Sequence, residues 1–227
     1  RTLREEIKSQ LQEWNPELAV IAAPVFKGRI PDVAADRIRE LGENGANEKR
    51  RKAVTLAVYG VRAYEDALLE LNRTAEEAGF QITASAACIA QHSMVPEVGK
   101  GRPDEADAAD LAVFAQKVEE KLNSGVKTKV QVPGNYPYKA VEKNTAVPLT
   151  LDSCVQCGRC IGVCPVDAIA RDESGSIVTN PQMCILCLAC TAVCAKHARV
   201  LPPPMKEGIE KRLGALKTVH RDNEFFM

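Results

Sequence analysis

The feature that most constrains this chain is a cysteine spacing that occurs twice. The first run reads CVQCGRCIGVCP from Cys154, and the second reads CILCLACTAVCA from Cys184. Each run separates its four cysteines by two, two and three residues. This spacing is typical of proteins that hold two iron–sulfur clusters, in which the fourth cysteine of each run ligates the cluster of the other run. The second run ends in Ala195 where the pattern usually has proline.

The spacing therefore predicts two crossed sets of ligands. Three cysteines two residues apart can cap three irons of one cubane, and the fourth follows a longer gap on a helical turn. The first cysteine set is Cys154, Cys157, Cys160 and Cys194. The second cysteine set is Cys184, Cys187, Cys190 and Cys164. Small residues between the cysteines leave room for backbone N–H groups near the cluster sulfurs.

Zinc and disulfides are the alternatives to iron–sulfur clusters. Zinc sites pair two C-x2-C units across a longer gap, whereas three consecutive cysteines at this spacing would crowd a tetrahedral ion. Eight of the nine cysteines lie between Cys154 and Cys194, and no export signal is visible. Clustered thiols in a reducing compartment favour metal over disulfides. The ninth, Cys88, is expected to be a small core residue.

Charge and hydropathy exclude two classes of partner. The chain has 227 residues, and its 30 basic residues balance its 30 acidic ones, so no net field attracts nucleic acid or a membrane surface. The longest apolar run, LAVIAAPVF from Leu18, is too short to span a bilayer. Because the first residues are charged and lack an apolar stretch, we expect a cytoplasmic location. The first residue is arginine, and we expect the natural product to extend upstream of it.

The composition changes near Lys129, which divides the chain into four predicted regions. Residues 1–128 alternate apolar strand-like runs with amphipathic stretches. Residues 129–149 contain prolines without a helical period and are predicted to be a linker. Residues 150–204 carry both cysteine runs, and residues 205–227 are predicted to form a helical tail.

The first region predicts an α/β fold with a parallel sheet. Strands are expected at 18–23, 53–59 and 80–90, and helices at 3–14, 32–41, 64–78 and 104–123. This alternation implies right-handed crossovers and a sheet covered on both faces. A doubly wound domain needs about two more strands, at least ~30 residues for one βαβ unit. We therefore expect the N-terminal part of the sheet to be missing from this sequence.

Three segments beside the cysteine runs suggest a family. PVFKGRIP, VYGVRAYEDAL and IAQHSMVPEVGKGRPDEAD make the chain resemble bacterial flavodoxin–ferredoxin fusion proteins. The resemblance implies a flavodoxin-like doubly wound parallel sheet followed by a small α+β ferredoxin domain with two [4Fe–4S] clusters. It also implies FMN and electron transfer between flavin and clusters. The family's Ser/Thr/Gly-rich phosphate loop does not occur in this sequence.

The resemblance places the flavin ring at two loops that follow strands. The residues it assigns to FMN are Pro24, Phe26, Gly28, Tyr59, Gly60 and Arg62. Phe26 is expected to stack on the isoalloxazine ring, and Arg62 to favour an anionic reduced flavin. Val61 replaces an asparagine that is common in the family. The alternative is that these are ordinary turn residues of a sheet that binds no cofactor.

Three functions remain open from the sequence. The first is an electron carrier that passes single electrons between two [4Fe–4S] clusters and FMN or a redox partner protein. The second is a flavin-free iron–sulfur subunit whose α/β domain docks to a larger redox complex. The third is a flavin and iron–sulfur oxidoreductase with its own substrate. No nucleophile–base pair or carboxylate dyad is visible, so no catalytic residue is assigned and an electron carrier is favoured over an enzyme.

Overall fold

The computed structural model describes residues 17–43, 51–126, 128–142 and 146–227. The chain divides into two compact units. Unit 1 is made by the described residues of Arg1–Gln91, Gly99–Ala140 and His220–Met227. Unit 2 is made by the described residues of His92–Val98 and Val141–Val219. The predicted helix at 3–14 lies outside the described residues.

Unit 1 is built on a mixed four-stranded sheet. Its elements are β1 (Leu18–Pro24), α1 (Asp32–Glu43), β2 (Arg51–Tyr59), α2 (Ala67–Glu77), β3 (Phe80–Ile89), α3 (Glu105–Ser124) and β8 (Glu224–Phe226). The strand order is β1-β2-β3-β8. The first three strands are parallel, and β8 is antiparallel to β3. Parallel strands need long crossovers, and α1 and α2 supply them.

Helices cover both faces of this sheet. Helix α3 packs Phe114 and Val118 against Val54 of β2 and against Ala84 and Ala86 of β3. Helix α2 covers the opposite face, where Asn72 hydrogen-bonds to Thr55 of β2 and Ser85 of β3. All three polar side chains are buried, and each is satisfied by the other two. The α/β alternation predicted from the sequence is therefore present, with a mixed rather than a wholly parallel sheet.

The C-terminal segment completes unit 1. Phe225 of β8 stacks on Phe114 of α3 with ring centroids 4.7 Å apart. Asn223 accepts the backbone N–H of Ile89 at 2.8 Å and donates to the buried carboxylate of Asp107 at 2.8 Å. Asp107 also accepts hydrogen bonds from the Nε and Nη2 of Arg102. A short polar network thus fixes residues 223–226 to the end of β3 and to α3.

The first part of the predicted linker packs on unit 1. Asp66, at the start of α2, is buried and accepts the backbone N–H groups of Asn135 at 2.8 Å and Lys139 at 2.7 Å. The guanidinium of Arg73 lies over the Tyr136 ring, 4.2 Å from its centroid. A buried carboxylate that accepts several N–H groups holds an extended segment without secondary structure. The composition of residues 129–140 does not indicate this contact.

Unit 2 consists of short elements around the cysteine runs. They are β4 (Leu149–Thr150), α4 (Arg159–Gly162), β5 (Ile169–Arg171), β6 (Ile177–Thr179), α5 (Ala189–Ala192), β7 (Arg199–Val200) and α6 (Pro203–Leu213), followed by a 3-10 helix at Gly214–Thr218. β4 pairs with β7 and β5 pairs with β6, both antiparallel. In the part of the chain that the structure describes, no helix is long and apolar enough to cross a membrane.

The strands and helices predicted between residues 18 and 124 are confirmed, with ends that differ by at most three residues. The prediction for the tail is wrong beyond Thr218, because helical structure ends there and β8 follows. A three-residue strand has too few positions to show a period of two. Its pairing with β3 joins residues far apart in sequence, so local pattern could not reveal it.

Candidate metal centre

The two cysteine runs fold in the same way. In the first run Gln156 and Gly158 have φ of 54° and 77°, and in the second Leu186 and Leu188 have φ of 55° and 61°. These left-handed residues flank the second cysteine of each run and bend the chain around it. A short helix follows in each run, α4 after Gly158 and α5 after Leu188. The repeated spacing therefore corresponds to repeated backbone geometry.

The fourth cysteine of each run accepts a backbone hydrogen bond. The Sγ of Cys164 accepts the N–H of Ala168 at 3.2 Å, and the Sγ of Cys194 accepts that of Ala198 at 3.2 Å. Burial acts to raise the pKa of Cys194, but N–H groups of Ala198 and its neighbours outweigh it and lower the pKa overall. Such donors stabilise a thiolate, the form that ligates metal.

The first cysteine set surrounds a cavity of about 220 Å³. Its wall includes all four members of the set, so the structure brings Cys194 of the second run beside three cysteines of the first. Ile177 and Ala198 contribute apolar wall, and both are buried. Cys157 is the exposed member of the set, whereas Cys160 is buried. Burial raises the pKa of Cys160, which a positively charged Arg199 nearby partly offsets.

The second cysteine set is also brought together. Burial raises the pKa of Cys187, and the neighbouring sulfurs of Cys164, Cys190 and Cys184 raise it further. The pKa of Cys184 is raised by burial and by the sulfurs of Cys190 and Cys164. Cys164 of the first run therefore lies among the three cysteines of the second. Ile169 and Ile177 pack between the two sets, in contact with Cys160 and Cys190.

A buried arginine adjoins both sets. Arg199 is only 3% exposed and borders the cavity of the first cysteine set. Its Nη1 donates to the Thr150 hydroxyl, and its Nη2 donates to the Thr179 hydroxyl at 2.6 Å and lies 3.9 Å from the Cys190 Sγ. The Nε of Arg199 is buried and has no hydrogen-bond partner. Sequence reasoning missed this residue, although aligning the two runs shows it opposite Ile169.

These features fit an anionic iron–sulfur group. The cavity offers four soft sulfur ligands, N–H donors to sulfur, and a buried cation with one unused donor. A buried N–H group without an acceptor lowers the stability of the fold, and a cluster sulfur would accept its hydrogen bond. Among the described residues, no three His, Cys, Asp or Glu side chains are placed around a single metal ion. The four cysteines instead stand apart around a larger space.

The residues assigned to FMN lie at adjacent strand ends in unit 1. Pro24 ends β1 and Tyr59 ends β2, with Gly60 directly after it. Tyr59 is buried and packs edge-on against the Tyr64 ring, with centroids 5.2 Å apart. The backbone of Phe26 forms a bridge with Arg29 across a tight turn.

The two remaining residues of that prediction meet at Glu65. Arg62 donates to the Glu65 carboxylate at 2.5 Å, so its charge is already paired. Gly28 has φ of 85°, and a Cβ at this position would lie 2.9 Å from the Glu65 Cβ. These contacts place Arg62 and Gly28 in packed turns of unit 1.

Comparison with known protein families identifies the cysteine region. Residues 147–195 match the family described as a 4Fe-4S dicluster domain. The B subunit of polysulfide reductase from Wolinella succinogenes is 34% identical over 95 residues, 41% of this chain and 49% of that protein. The thiosulfate reductase electron transfer subunit PhsB of Salmonella typhi is 36% identical over 78 residues, 34% of this chain and 41% of that protein.

A third relative is the iron-sulfur cluster-binding subunit of menaquinone reductase from Nitratidesulfovibrio vulgaris. It is 42% identical over 66 residues, 26% of each chain. The chain thus spans less than half the length of each of these three relatives.

The comparisons correct the resemblance drawn from sequence. The prediction of a flavodoxin–ferredoxin fusion is wrong, because the relatives are subunits of reductases and indicate no flavodoxin fusion. The alternation of strands and helices that suggested it occurs in many unrelated α/β proteins. FMN receives no support from these relatives or from the matched family. What the comparisons support is an iron–sulfur region: residues 147–195 match the 4Fe-4S dicluster domain.

Proposed function

We propose that this chain is a flavin-free iron–sulfur subunit that transfers electrons within a larger redox complex. The first and second cysteine sets hold one [4Fe–4S] cluster each, and unit 1 docks the subunit to its redox partner. The observation that carries the proposal is the cavity of the first set, because its wall combines cysteines from both runs. Crossed ligation of this kind is typical of two-cluster proteins.

The residues of unit 2 have separate tasks in this function. The cysteine thiolates bind iron, and the N–H groups of Ala168 and Ala198 hold the sulfurs of Cys164 and Cys194 in place. Ile169 and Ile177 exclude water from the space between the two sets. When bound, each cluster accepts or releases one electron. The exposed side chain of Cys157 makes the first set the more accessible to a partner protein.

The relatives support the role of a subunit rather than of a complete enzyme. All three are parts of reductases, and one of them is named as an electron transfer subunit. Their substrates are not carried over, since the matched regions cover less than half of those proteins. The assignment of unit 1 to docking follows from its lack of cysteine ligands, because all eight lie in unit 2. The cytoplasmic location stays a prediction.

Metal and flavin analysis of the anaerobically purified chain tests this function. We expect about eight irons and eight acid-labile sulfides per chain, with neither zinc nor flavin in stoichiometric amount. The control is Cys88→Ala, which removes the one cysteine outside the runs and should leave the iron content unchanged. Stoichiometric zinc, or about four irons per chain, would contradict the proposal, and stoichiometric FMN would restore the flavin function.

A further inference from the structure

The two halves of unit 2 differ at one buried position. Ile169 follows Cys164 by five residues, and Arg199 follows Cys194 by the same interval. Each begins a short strand, β5 or β7, and each is buried, at 5% and 3% exposure. An apolar side chain in one half is therefore replaced by a guanidinium in the other. Burying a charge is costly unless it is compensated, so this difference needs a reason.

Threonine hydroxyls compensate only part of Arg199. Thr150 and Thr179 occupy Nη1 and Nη2, and neither hydroxyl carries a charge. The Nε–H remains without a partner although it is buried. Among the described residues, the side chain has one further hydrogen-bond contact, and it is long: Nη2 lies 3.9 Å from the Cys190 Sγ. Arg199 thus brings an unneutralised charge and one unused donor to the wall of the first cavity.

Two other cations border the same cavity but face water. Arg159 and Lys196 are exposed, so solvent and salt screen their charges. Arg199 is buried, so its charge is screened much less and acts more strongly on groups inside the protein. A positive charge and a hydrogen bond to cluster sulfur both stabilise the more negative, reduced state of an iron–sulfur cluster. Arg199 is therefore the cation that can set a potential difference between the two clusters.

We propose that Arg199 makes the first cluster, held by Cys154, Cys157, Cys160 and Cys194, the higher-potential cluster of the pair. Its Nε–H donates to a sulfur of this cluster, and its buried charge favours the reduced state there. The second cluster faces Ile169 at the equivalent place, and it feels Arg199 more weakly, through the long 3.9 Å contact of Nη2 with the Cys190 Sγ. One electron then passes from the reduced second cluster to the oxidised first cluster. The first cluster is the one with an exposed ligand, Cys157. This inference rests on the proposed two-cluster function.

The test is a redox titration of the purified full chain, followed by electron paramagnetic resonance. Cys157→Ser and Cys187→Ser each perturb one signal and so assign it to a cluster. Arg199→Met should lower the midpoint potential of the first cluster, and that of the second by less. Arg199→Lys, which keeps the charge but not the Nε–H, should give a smaller fall than Arg199→Met.

Two matched controls separate this effect from general changes. Ile169→Met places the same new side chain at the equivalent position and should leave both potentials near their original values. Lys196→Met removes an equal but exposed charge from the same cavity and should shift the first potential by less than Arg199→Met. If Arg199→Met does not retain iron, the variant Arg199→Met/Thr179→Val replaces it, because this variant also removes one of the two hydroxyls that lose their donor.

The outcomes that overturn the inference are distinct from those that overturn the function. An unchanged first potential in the methionine variant, equal falls in both clusters, or a larger fall in the second would each overturn the role of Arg199. A shift with Lys196→Met as large as with Arg199→Met would do the same. A wild-type chain without two clusters would instead remove the proposed function, which the iron content reveals before any titration.

Discussion

At the scale of single residues, the fourth cysteine of each run has a position unlike the other three. Cys164 and Cys194 follow the short helices α4 and α5, and each sulfur accepts an N–H from four residues further along. Each also lies among the first three cysteines of the opposite run. The same side chain therefore joins one half of unit 2 to the metal site of the other.

Crossed ligation predicts opposite losses from two equivalent substitutions. Cys194→Ala should abolish the first cluster and retain most of the second, and Cys164→Ala should do the reverse. Iron content near half of the wild-type value and the loss of one paramagnetic signal measure this. Loss of the same cluster in both variants, with the other intact, would contradict the crossing. Circular dichroism separates cluster loss from unfolding of unit 2.

At the scale of elements, the start of α3 is fixed by a charged network. Asp104 and Asp107 form a capping box, and Asp107 also accepts hydrogen bonds from Arg102 and Asn223. The hydrogen bond from Arg102 is the main cause that lowers the pKa of Asp107 from 3.8 to about 2, against the opposing effect of burial. This carboxylate couples α3 to the C-terminal segment.

The depressed pKa predicts a loss of stability in acid. A carboxylate with a lowered folded-state pKa stabilises the fold above its unfolded pKa and loses this contribution as the pH falls. Here about 2 kcal/mol should be present above roughly pH 4 and lost between roughly pH 4 and 2. Urea unfolding followed by circular dichroism compares the wild type with Asp107→Asn from pH 6 downward. The difference in unfolding free energy between the two proteins should shrink as the pH falls. A difference that stays constant would contradict the assignment.

Elements with a clear period were predictable, and those fixed by distant contacts were not. β1 to β3 and α1 to α3 follow from apolar patterning, and the cysteine sets follow from a spacing that encodes local backbone geometry. The packing of residues 130–140 depends on Asp66, which only the fold brings beside Asn135 and Lys139. In the sequence Arg199 is one more basic residue, and its burial becomes apparent only in the structure.

At the scale of the whole molecule, unit 1 is discontinuous in sequence. Apart from residues 92–98, the described chain from β1 to residue 140 belongs to unit 1. The chain then enters unit 2 and returns to unit 1 at His220. The returning segment supplies β8, which hydrogen-bonds to β3 through residues 224–226. The sheet therefore depends on eight residues that follow the entire cysteine region.

Deleting residues 220–227 should destabilise unit 1 without removing iron from unit 2. The deletion removes the Phe225–Phe114 stack and the Asn223 hydrogen bonds, together worth about 3 kcal/mol or more. Hydrogen exchange should increase in β3, while the iron content stays at the wild-type level. Asp222→Ala, which removes an exposed carboxylate 3.3 Å from the His220 Nε2, is the control and should change neither. Unaltered exchange in β3 after the deletion would contradict the role of β8.

The late position of β8 sets an order of events during protein synthesis. A ribosome releases all eight ligand cysteines before it releases residues 224–226. Until then the outer edge of β3 has no strand beside it, and an open strand edge is a site where other chains can add. The nascent chain can therefore meet the cell's iron and sulfide supply before unit 1 is finished. Along the message, the ligands of both clusters therefore precede the strand that completes the sheet.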